Sequence, residues 1–289
     1  FGYGILYRMT PKGKFTQLHS FDFEAKEGIR PASRLVQTPD GALWGTTVDG
    51  GAGEGPYCVS AGGAGCGTVF RYLESEGLTT VHSFSGELTD GAFPQAGLLL
   101  ASDGYLYGTT HDGGKTNQGT VFRVSQRGVT KVMHHFDGLH GQAPSAALIQ
   151  ASDGRLYGTT FYGGDDSCGA GCGIVFSLGL DRSFRVEHRF KHGDGGSAPL
   201  GRLLEGPDGR LYGTAFGDGD RTHCFFGCGT VFSLTPGEHA KTLYVFAGGN
   251  QDGAAPAAGL TWLDDRHLVS VASEGGSADF GTVFQLKVK

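Results

Sequence analysis

The chain has 289 residues and contains 53 glycines, about 18% of the sequence against an average usage near 7%. Hydrophobic residues make up 38% and charged residues 18%, so the chain can build a core and is not a disordered polymer. The glycines follow no G-X-Y period, which excludes collagen, and no stretch is apolar enough to span a membrane. The formal charge of −6 argues against nucleic acid or an anionic membrane as a partner.

A G-x-x-F/Y unit recurs along the whole chain. Its intervals are 63, 52, 54, 56 and 52 residues, and its first residues are Gly4, Gly67, Gly119, Gly173, Gly229 and Gly281. Between these units, runs of β-branched and aromatic residues are separated by D-G and G-G dipeptides, which is typical of hairpin-linked strands. No segment shows a capped helical period, so we predict an all-β chain almost without helix.

Each interval carries four predicted strands, named a, b, c and d from the axis of a β-propeller outward. In chain order, the N-terminus supplies strands c and d at about 4–21, four complete blades follow, and the C-terminus supplies strands a, b and c. The complete blades are 33–84, 96–136, 146–190 and 201–246. We predict a single propeller domain over 1–289 with five blades, the last built from 258–289 together with 1–21, and with one strand c left over. A six-bladed ring with incomplete blades is the alternative.

The repeated phrases carry a resemblance to a known family. TPDGALWGTTVDGG, ASDGYLYGTTHDGG, ASDGRLYGTTFYGG and GTVFSLTPG, together with LHSF and VHSF, resemble the tandem-repeat family named GloVer. A strand that ends in G-G before an F-containing strand is similar to kelch propellers. The resemblance covers nearly the whole chain and implies a secreted or surface propeller, while it implies little about chemistry.

Six cysteines form three short pairs, which are Cys58/Cys66, Cys168/Cys172 and Cys224/Cys228. Each pair lies between strands b and c, and its second cysteine directly precedes strand c. This pattern predicts three local disulfides and a secreted or other oxidising location, in a chain that is soluble and mature or trimmed before Phe1. Metal binding or free thiols are the alternative, but zinc needs ligands that converge from two elements. Such short loops gain little chain entropy, so we expect the disulfides to rigidify a site.

Comparing the repeats with one another separates scaffold from candidate site. A histidine stands two places before the phenylalanine of strand d in four repeats, so we interpret His19, His82, His134 and His188 as blade packing. The aspartates of the D-G turns are interpreted as turn formers: Asp40, Asp103, Asp153 and Asp208. Ten of the 20 phenylalanines occupy two repeat positions and are expected in the core.

The b–c and d–a connections are long and variable, and in an antiparallel meander they emerge on the same face, which we therefore predict to be the functional face. The end of strand b differs from blade to blade and should surround the mouth of a central channel. It reads Val48-Asp49, His111-Asp112, Phe161-Tyr162, Phe216-Gly217-Asp218 and Ser273-Glu274. The d–a connections and one disulfide loop add four further candidates for contact with a ligand: Arg30, His140, His192 and His223.

These residues suggest an enzyme with one central site for a carbohydrate-like or other small cyclic substrate. Paired carboxylates suit glycoside hydrolysis, and a histidine with a tyrosine suits a uronate lyase. The predicted catalytic residues are His111, Tyr162, Asp49, Asp112 and Glu274, and the predicted binding residues are Phe161, Phe216, Asp218, Arg30, His140, His192 and His223. A secreted glycan-binding lectin or adhesion propeller without catalysis is the alternative. We expect a monomer without a cofactor, and Ca²⁺ at the Asp- and Gly-rich clusters is left open.

Overall fold

The computed structural model describes residues 2–31, 33–55, 58, 65–193 and 195–288, and divides the chain into two compact units that meet in sequence at Phe136 and Asp137. Across the described residues the structure is all-β, and the only helical elements are two 3₁₀ turns, Asp166–Cys168 and Gly249–Gln251. The prediction of an all-β chain is confirmed.

The first unit contains two four-stranded antiparallel sheets, ordered β3-β4-β5-β6 and β8-β9-β11-β12, and two two-stranded sheets, β1-β2 and β7-β10. The strands are β1 (Ile5–Met9), β2 (Phe15–Ser20), β3 (Val36–Gln37), β4 (Leu43–Thr47), β5 (Thr68–Leu73), β6 (Gly77–Ser83), β7 (Gly91–Ala92), β8 (Leu99–Leu100), β9 (Leu106–Thr110), β10 (Asp112–Gly113), β11 (Thr120–Val124) and β12 (Thr130–His135).

The second unit contains the sheets β13-β14-β15-β16 and β17-β18-β19-β20, a three-stranded sheet β22-β23-β25 and a two-stranded sheet β21-β24. The strands are β13 (Ile149–Gln150), β14 (Leu156–Thr160), β15 (Ile174–Leu178), β16 (Phe184–Arg189), β17 (Leu204–Glu205), β18 (Leu211–Ala215), β19 (Thr230–Leu234), β20 (Lys241–Val245), β21 (Gly253–Ala254), β22 (Thr261–Asp264), β23 (His267–Ala272), β24 (Glu274–Gly275) and β25 (Thr282–Lys287). The four four-stranded sheets are meanders in the predicted order a-b-c-d. The number of blades and the composite closing blade stay predictions.

The repeated L-Y-G-T-T sequence of strand b has a packing reason. A Cβ atom on Gly108 would lie 2.6 Å from the ring of Phe122 in strand c and 2.9 Å from Leu98, and Gly158 is confined in the same way by Phe176 and Leu148. The glycine therefore makes room for the phenylalanine, which is at most 1% exposed in the four complete repeats, whereas the equivalent Phe284 is only partly buried. This contact explains why the glycine and the phenylalanine recur together in every complete blade.

The histidines of strand d serve packing, as predicted. The ring of His82 lies edge-on to Phe84 with 4.7 Å between centroids, and the other three histidines pack in the same way on the phenylalanine two residues later. His82 also contacts Asp90 of the next d–a connection at 3.1 Å, and His19 contacts Glu27 at 2.7 Å. Each such pair fastens strand d to the connection that follows it.

The D-G aspartates also have the predicted scaffold role. The Asp103 carboxylate accepts hydrogen bonds from the Tyr105 backbone N–H at 3.1 Å and from the Tyr107 hydroxyl at 2.8 Å. Asp153 and Asp208 bind their strand-b tyrosines in the same way. Burial and the neighbouring carboxylate raise the pKa of Tyr107 to about 12, so this tyrosine stays protonated as a donor.

Candidate functional site

The b–c and d–a connections are joined by a repeated backbone contact. The residue before each d–a proline has a positive φ of 53–58° in five repeats, at Arg30, Phe93, Ala143, Ala198 and Ala255. The Ala198 N–H donates to the Cys172 carbonyl at 2.7 Å, and the Ala198 carbonyl accepts from Phe216 N–H at 3.1 Å. The left-handed conformation is unfavourable for residues other than glycine, so these bonds must hold it in place.

All three predicted disulfides are present, linking Cys58 to Cys66, Cys168 to Cys172 and Cys224 to Cys228. The second cysteine of each pair is the residue whose carbonyl accepts the hydrogen bond from the next d–a connection, at Cys66, Cys172 and Cys228. The disulfide therefore fixes both the b–c loop and the acceptor on which the neighbouring repeat rests. The expectation that the disulfides rigidify a site stays a prediction.

A pocket of about 500 Å³ lies within the second unit, between the stapled b–c loops of its two four-stranded sheets. Its aromatic lining consists of Phe161 and Tyr162 from the end of β14, Phe216 from the end of β18, and Phe226 from the Cys224–Cys228 loop. Phe161 and Tyr162 pack edge-on with 4.4 Å between centroids, and Tyr162 is 37% exposed. Aromatic faces of this kind suit the apolar face of a sugar ring or another cyclic ligand.

The polar part of the pocket is centred on His192 and Arg221, and the buried carboxylate of Asp218 lies behind them. The side chain of Asp218 is only 4% exposed, and its Oδ2 accepts the Gly193 backbone N–H at 2.7 Å. Its Oδ1 lies 3.4 Å from His192 Nδ1 and 3.8 Å from Arg221 Nη2. Arg221 Nη2 also lies 3.1 Å from His192 Nδ1. The three side chains form one polar cluster at the pocket wall.

Asp218 occupies a position that is glycine in the other repeats. The equivalent residues Gly50, Gly113, Gly163 and Gly275 have φ near +80°, and Asp218 has φ +62°. An L-residue in this conformation costs about 1–2 kcal/mol relative to glycine. In this repeat the G-G pair is thus replaced by Asp218-Gly219, and the new side chain is the buried carboxylate that contacts His192. Aspartate is among the residues other than glycine that tolerate this conformation best, so the carboxylate can be placed here without changing the backbone of the repeat.

Short capping bonds hold the two loops around the pocket. The Asp165 carboxylate accepts the Ser167 backbone N–H at 2.9 Å, and the Asp220 carboxylate accepts the Thr222 N–H at 2.7 Å. Hydrogen bonds from Ser167 lower the pKa of Asp165, and those from Thr222 lower the pKa of Asp220. Ser167 lines the pocket, and its Oγ accepts the His192 backbone N–H at 2.9 Å. The loop of one repeat therefore positions the histidine that faces the carboxylate of the next.

The remaining candidates of the second unit have other surroundings. His140 is exposed and its Nδ1 lies 2.8 Å from Asp137 Oδ2. The His223 Nδ1 lies 3.0 Å from the Ala247 carbonyl oxygen. Glu274 is exposed on β24, opposite Ala254 of β21. The pocket brings together Phe161, Tyr162, Phe216 and His192 of the predicted residues, with Asp218 behind it.

Two further pairs of predicted residues lie in the first unit. Arg30 forms an ion pair with Asp49, whose side chain is 6% exposed and whose Oδ1 is buried without a hydrogen-bond partner. His111 Nδ1 lies 2.9 Å from Asp112 Oδ1, and both side chains are about one-third exposed. These pairs stay candidates, and no group of three His, Cys, Asp or Glu side chains converges as metal ligands within the described residues.

Sequence reasoning missed several residues of the pocket, among them Ser167, Arg221 and Phe226. A usable signal was present, because Arg221 is one of only two cationic residues in the five b–c connections, with Lys115. The replacement of the glycine pair by Asp218-Gly219 was equally visible, although its conformational meaning requires the structure.

The four-stranded repeats define the class as an all-β protein of the propeller type. The profile of the Gloeobacter/Verrucomicrobia repeat matches residues 1–170 and 56–284, so the chain belongs to this repeat family, as the sequence motifs predict. No functionally curated protein matches the sequence. None of the described helices is long and apolar enough to cross a membrane.

Solved structures of similar fold have low sequence identity. A protein from Bacteroides fragilis provisionally assigned as a 6-phosphogluconolactonase has a TM-score of 0.51 at 17% identity, and the match covers 88% of this chain and 66% of that one. A protein with the same provisional assignment from Bacteroides uniformis gives 0.51 at 15%, covering 80% and 62%. The extracellular domain of a protein from B. thetaiotaomicron, provisionally assigned as a hybrid two-component system, gives 0.52 at 13%, covering 93% and 30%. These likenesses establish the fold.

Proposed function

We propose that the protein is a secreted hydrolase of cyclic, carbohydrate-like esters, that is, of sugar lactones, and that the pocket of the second unit is its active site. The observation that carries this proposal is Asp218, a buried carboxylate in a glycine position that contacts His192 at 3.4 Å. A carboxylate behind an imidazole sets its tautomer and stabilises the imidazolium that forms when the ring accepts a proton.

The cluster suits the activation of water by His192. When Nδ1–H of the ring donates to Asp218, Nε2 carries the lone pair and can accept a proton from water as the hydroxide attacks the lactone carbonyl. The bond between the carbonyl carbon and the ring oxygen of the lactone then breaks, and the imidazolium of His192 gives its proton to the leaving alkoxide. One water is consumed, and a carboxylic acid and a hydroxyl are formed.

Arg221 is expected to act both before the attack of water, by its contact with His192, and during it, by binding the oxyanion. Its Nη2 lies 3.1 Å from His192 Nδ1 and 3.8 Å from Asp218 Oδ1. A guanidinium that turns towards the ligand stabilises the oxyanion of the tetrahedral intermediate, and it also leaves Nδ1 free to donate to Asp218. Substrate binding would thereby bring His192 into the tautomer required of a general base.

The surroundings of the cluster favour ester hydrolysis over the other chemistries considered. Glycoside hydrolysis uses two carboxylates across the scissile bond, and the described lining of the pocket contributes no carboxylate besides the buried Asp218 behind it. A uronate lyase is the second candidate, because the phenol of Tyr162 lines the same pocket as His192 and Arg221. The provisional assignment of two structural neighbours as 6-phosphogluconolactonases agrees with a lactone as substrate.

The test is a substrate panel with matched variants. Purified protein is incubated with five- and six-membered sugar lactones in a pH-stat, and with uronate polysaccharides while unsaturated products are followed by absorbance. The proposal predicts acid release from a lactone that falls at least 100-fold in His192→Gln and is unchanged in His239→Gln, which alters an exposed turn histidine. Absorbance without acid release would support the lyase, and inertness together with glycan binding would support a lectin.

The stapled loops also support secretion. Three disulfides occur in the described chain, and disulfides persist in oxidising compartments. We propose that the protein works outside the cytosol and that its repeats close into a five-bladed propeller. Detection of oxidised cysteines in the native, secreted protein by mass spectrometry tests the location, and a purely cytosolic, reduced protein would contradict it.

A further inference from the structure

A groove in the first unit concentrates positive charge on a chain whose net charge is −6. The groove measures about 450 Å³ and is formed by the a–b turn at Gly104–Tyr105 and the c–d hairpin of β11 and β12. Arg123, Arg127 and Lys131 line it, and no acidic side chain does among the described residues. It lies at the a–b and c–d turns of its sheet, which are at the opposite end of the strands from the b–c connection of the same repeat.

The register of β11 and β12 places two of these cations directly opposite each other. Arg123 pairs with Lys131 across the strands, whereas Arg71 faces Thr79, Arg185 faces Ser177, and Lys241 faces Ser233 at the equivalent places of the other sheets. Like charges opposite each other destabilise a strand pair. Among the four four-stranded sheets, only this one has two cations opposite each other at this position. An anionic ligand bound between them would reduce their repulsion.

The equivalent arginine of the preceding sheet shows the contrast. Arg71 is neutralised by Asp40 at 3.3 Å and by Glu76 at 2.6 Å. Within the described residues Arg123, Arg127 and Lys131 form no ion pair, and Arg123 interacts instead with the Tyr105 ring and the Tyr107 hydroxyl. Their charges remain available to a ligand.

The groove also offers a flat apolar contact. The Arg123 guanidinium lies 4.2 Å from the ring centroid of Tyr105, which holds the fork in place, and the side chain of Val129 is 69% exposed beside it. An oriented guanidinium binds carboxylates through two parallel hydrogen bonds. Three cations beside the Tyr105 ring and the exposed Val129 fit a carboxylated sugar chain, which offers carboxylates to the cations and apolar sugar faces to the apolar strip.

We infer that this groove, defined by Tyr105, Arg123, Arg127, Val129 and Lys131, binds an acidic polysaccharide through its carboxylates. It is a second carbohydrate contact, independent of the lactone pocket. It would hold the protein on a polyuronate surface while the pocket acts on small cyclic esters.

The experiment measures binding to polygalacturonate by affinity electrophoresis at several salt concentrations. Lys131→Glu should weaken binding at least tenfold and also raise the thermal midpoint, because Arg123 then faces an opposite charge. The matched control Lys241→Glu replaces a cation that faces Ser233, and it should change binding less than twofold. Arg221→Gln should leave binding unchanged, because Arg221 lies in the other pocket.

Several results would overturn the inference. These are absence of wild-type binding at low salt, equal losses in Lys131→Glu and Lys241→Glu, loss of binding in Arg221→Gln, equal affinity for fully methyl-esterified pectin, and equal or tighter binding of duplex DNA. Lactone hydrolysis is measured on the same samples. Its presence or absence judges the proposed enzyme separately from the groove.

Discussion

Removing the three disulfides one at a time can distinguish an effect on the stability of the protein from an effect on the geometry of the pocket. They occupy the same place in their repeats, but the loops of Cys168–Cys172 and Cys224–Cys228 carry Ser167 and Phe226 of the pocket, whereas Cys58–Cys66 lies in the other unit. Replacing one pair at a time by serine removes one crosslink while keeping side chains of nearly the same size at these positions, including Cys168 in the pocket lining.

The expected loss of stability follows from loop length. The Cys168–Cys172 pair has a sequence separation of 4 and closes a loop of about five residues, worth about 2 kcal/mol in the chain-entropy account. The Cys58–Cys66 pair has a separation of 8 and closes about nine residues, worth about 2.6 kcal/mol. Removal of Cys58–Cys66 should therefore cost slightly more free energy of unfolding than removal of Cys168–Cys172.

The expected effect on function runs in the opposite order. Without Cys168–Cys172 the loop that fixes Ser167 and the backbone of His192 is loosened, so KM for a lactone should rise about tenfold. Without Cys58–Cys66 it should stay within twofold. Urea unfolding supplies the stabilities and pH-stat kinetics the KM values. Equal changes of KM in both variants, or a larger change without Cys58–Cys66, would refute the idea that the disulfides serve the pocket.

Three further predictions concern the scaffold. Tyr107→Phe should lower the free energy of unfolding by about 1 kcal/mol, because the hydrogen bond to Asp103 is lost. The folded pKa of Tyr107 is raised to about 12, above the unfolded value near 10, so the stability of the wild type should fall as pH rises between these two values. The fall should be smaller in the variant. Burial raises the pKa of Asp90, but the interaction with His82 and the backbone hydrogen bonds outweigh this effect, so the pKa is lower in the folded protein. The stability of the wild type should therefore fall as pH drops below about 4. Asp90→Asn should make stability less dependent on pH in this range, in acid titrations followed by circular dichroism. Gly108→Ala should destabilise by about 1–3 kcal/mol in urea unfolding, because its Cβ would overlap the Phe122 ring.

Repetition explains why so much of the scaffold could be predicted from sequence. The D-G turns, the His-x-Phe contacts of strand d and the three cysteine pairs each recur in several repeats, so a residue type and its structural role could be inferred together. These features are local, since each depends on neighbours within one hairpin or one loop. The structure confirms them at His82 with Phe84, at Asp103 with Tyr107, and at Cys168 with Cys172.

The candidate site was harder to predict because it depends on contacts between repeats. Phe161, Tyr162, Phe216 and His192 depart from the repeat pattern, and the structure gathers them at one pocket. Arg221 and Phe226 were missed, since their position follows from the path of a stapled loop that sequence spacing does not define. The left-handed backbone conformation of Asp218 could not be predicted either, because Asp-Gly dipeptides occur in many turns of this chain.

The most direct test of the proposed hydrolase is kcat/KM for a sugar lactone in Asp218→Gly. Glycine is the residue of the other four repeats at this position and accepts the backbone conformation, so the variant should fold with nearly the wild-type thermal midpoint. Loss of the carboxylate behind His192 should lower kcat/KM by about 100-fold or more. A folded Asp218→Gly variant that retains wild-type kcat/KM would contradict the account.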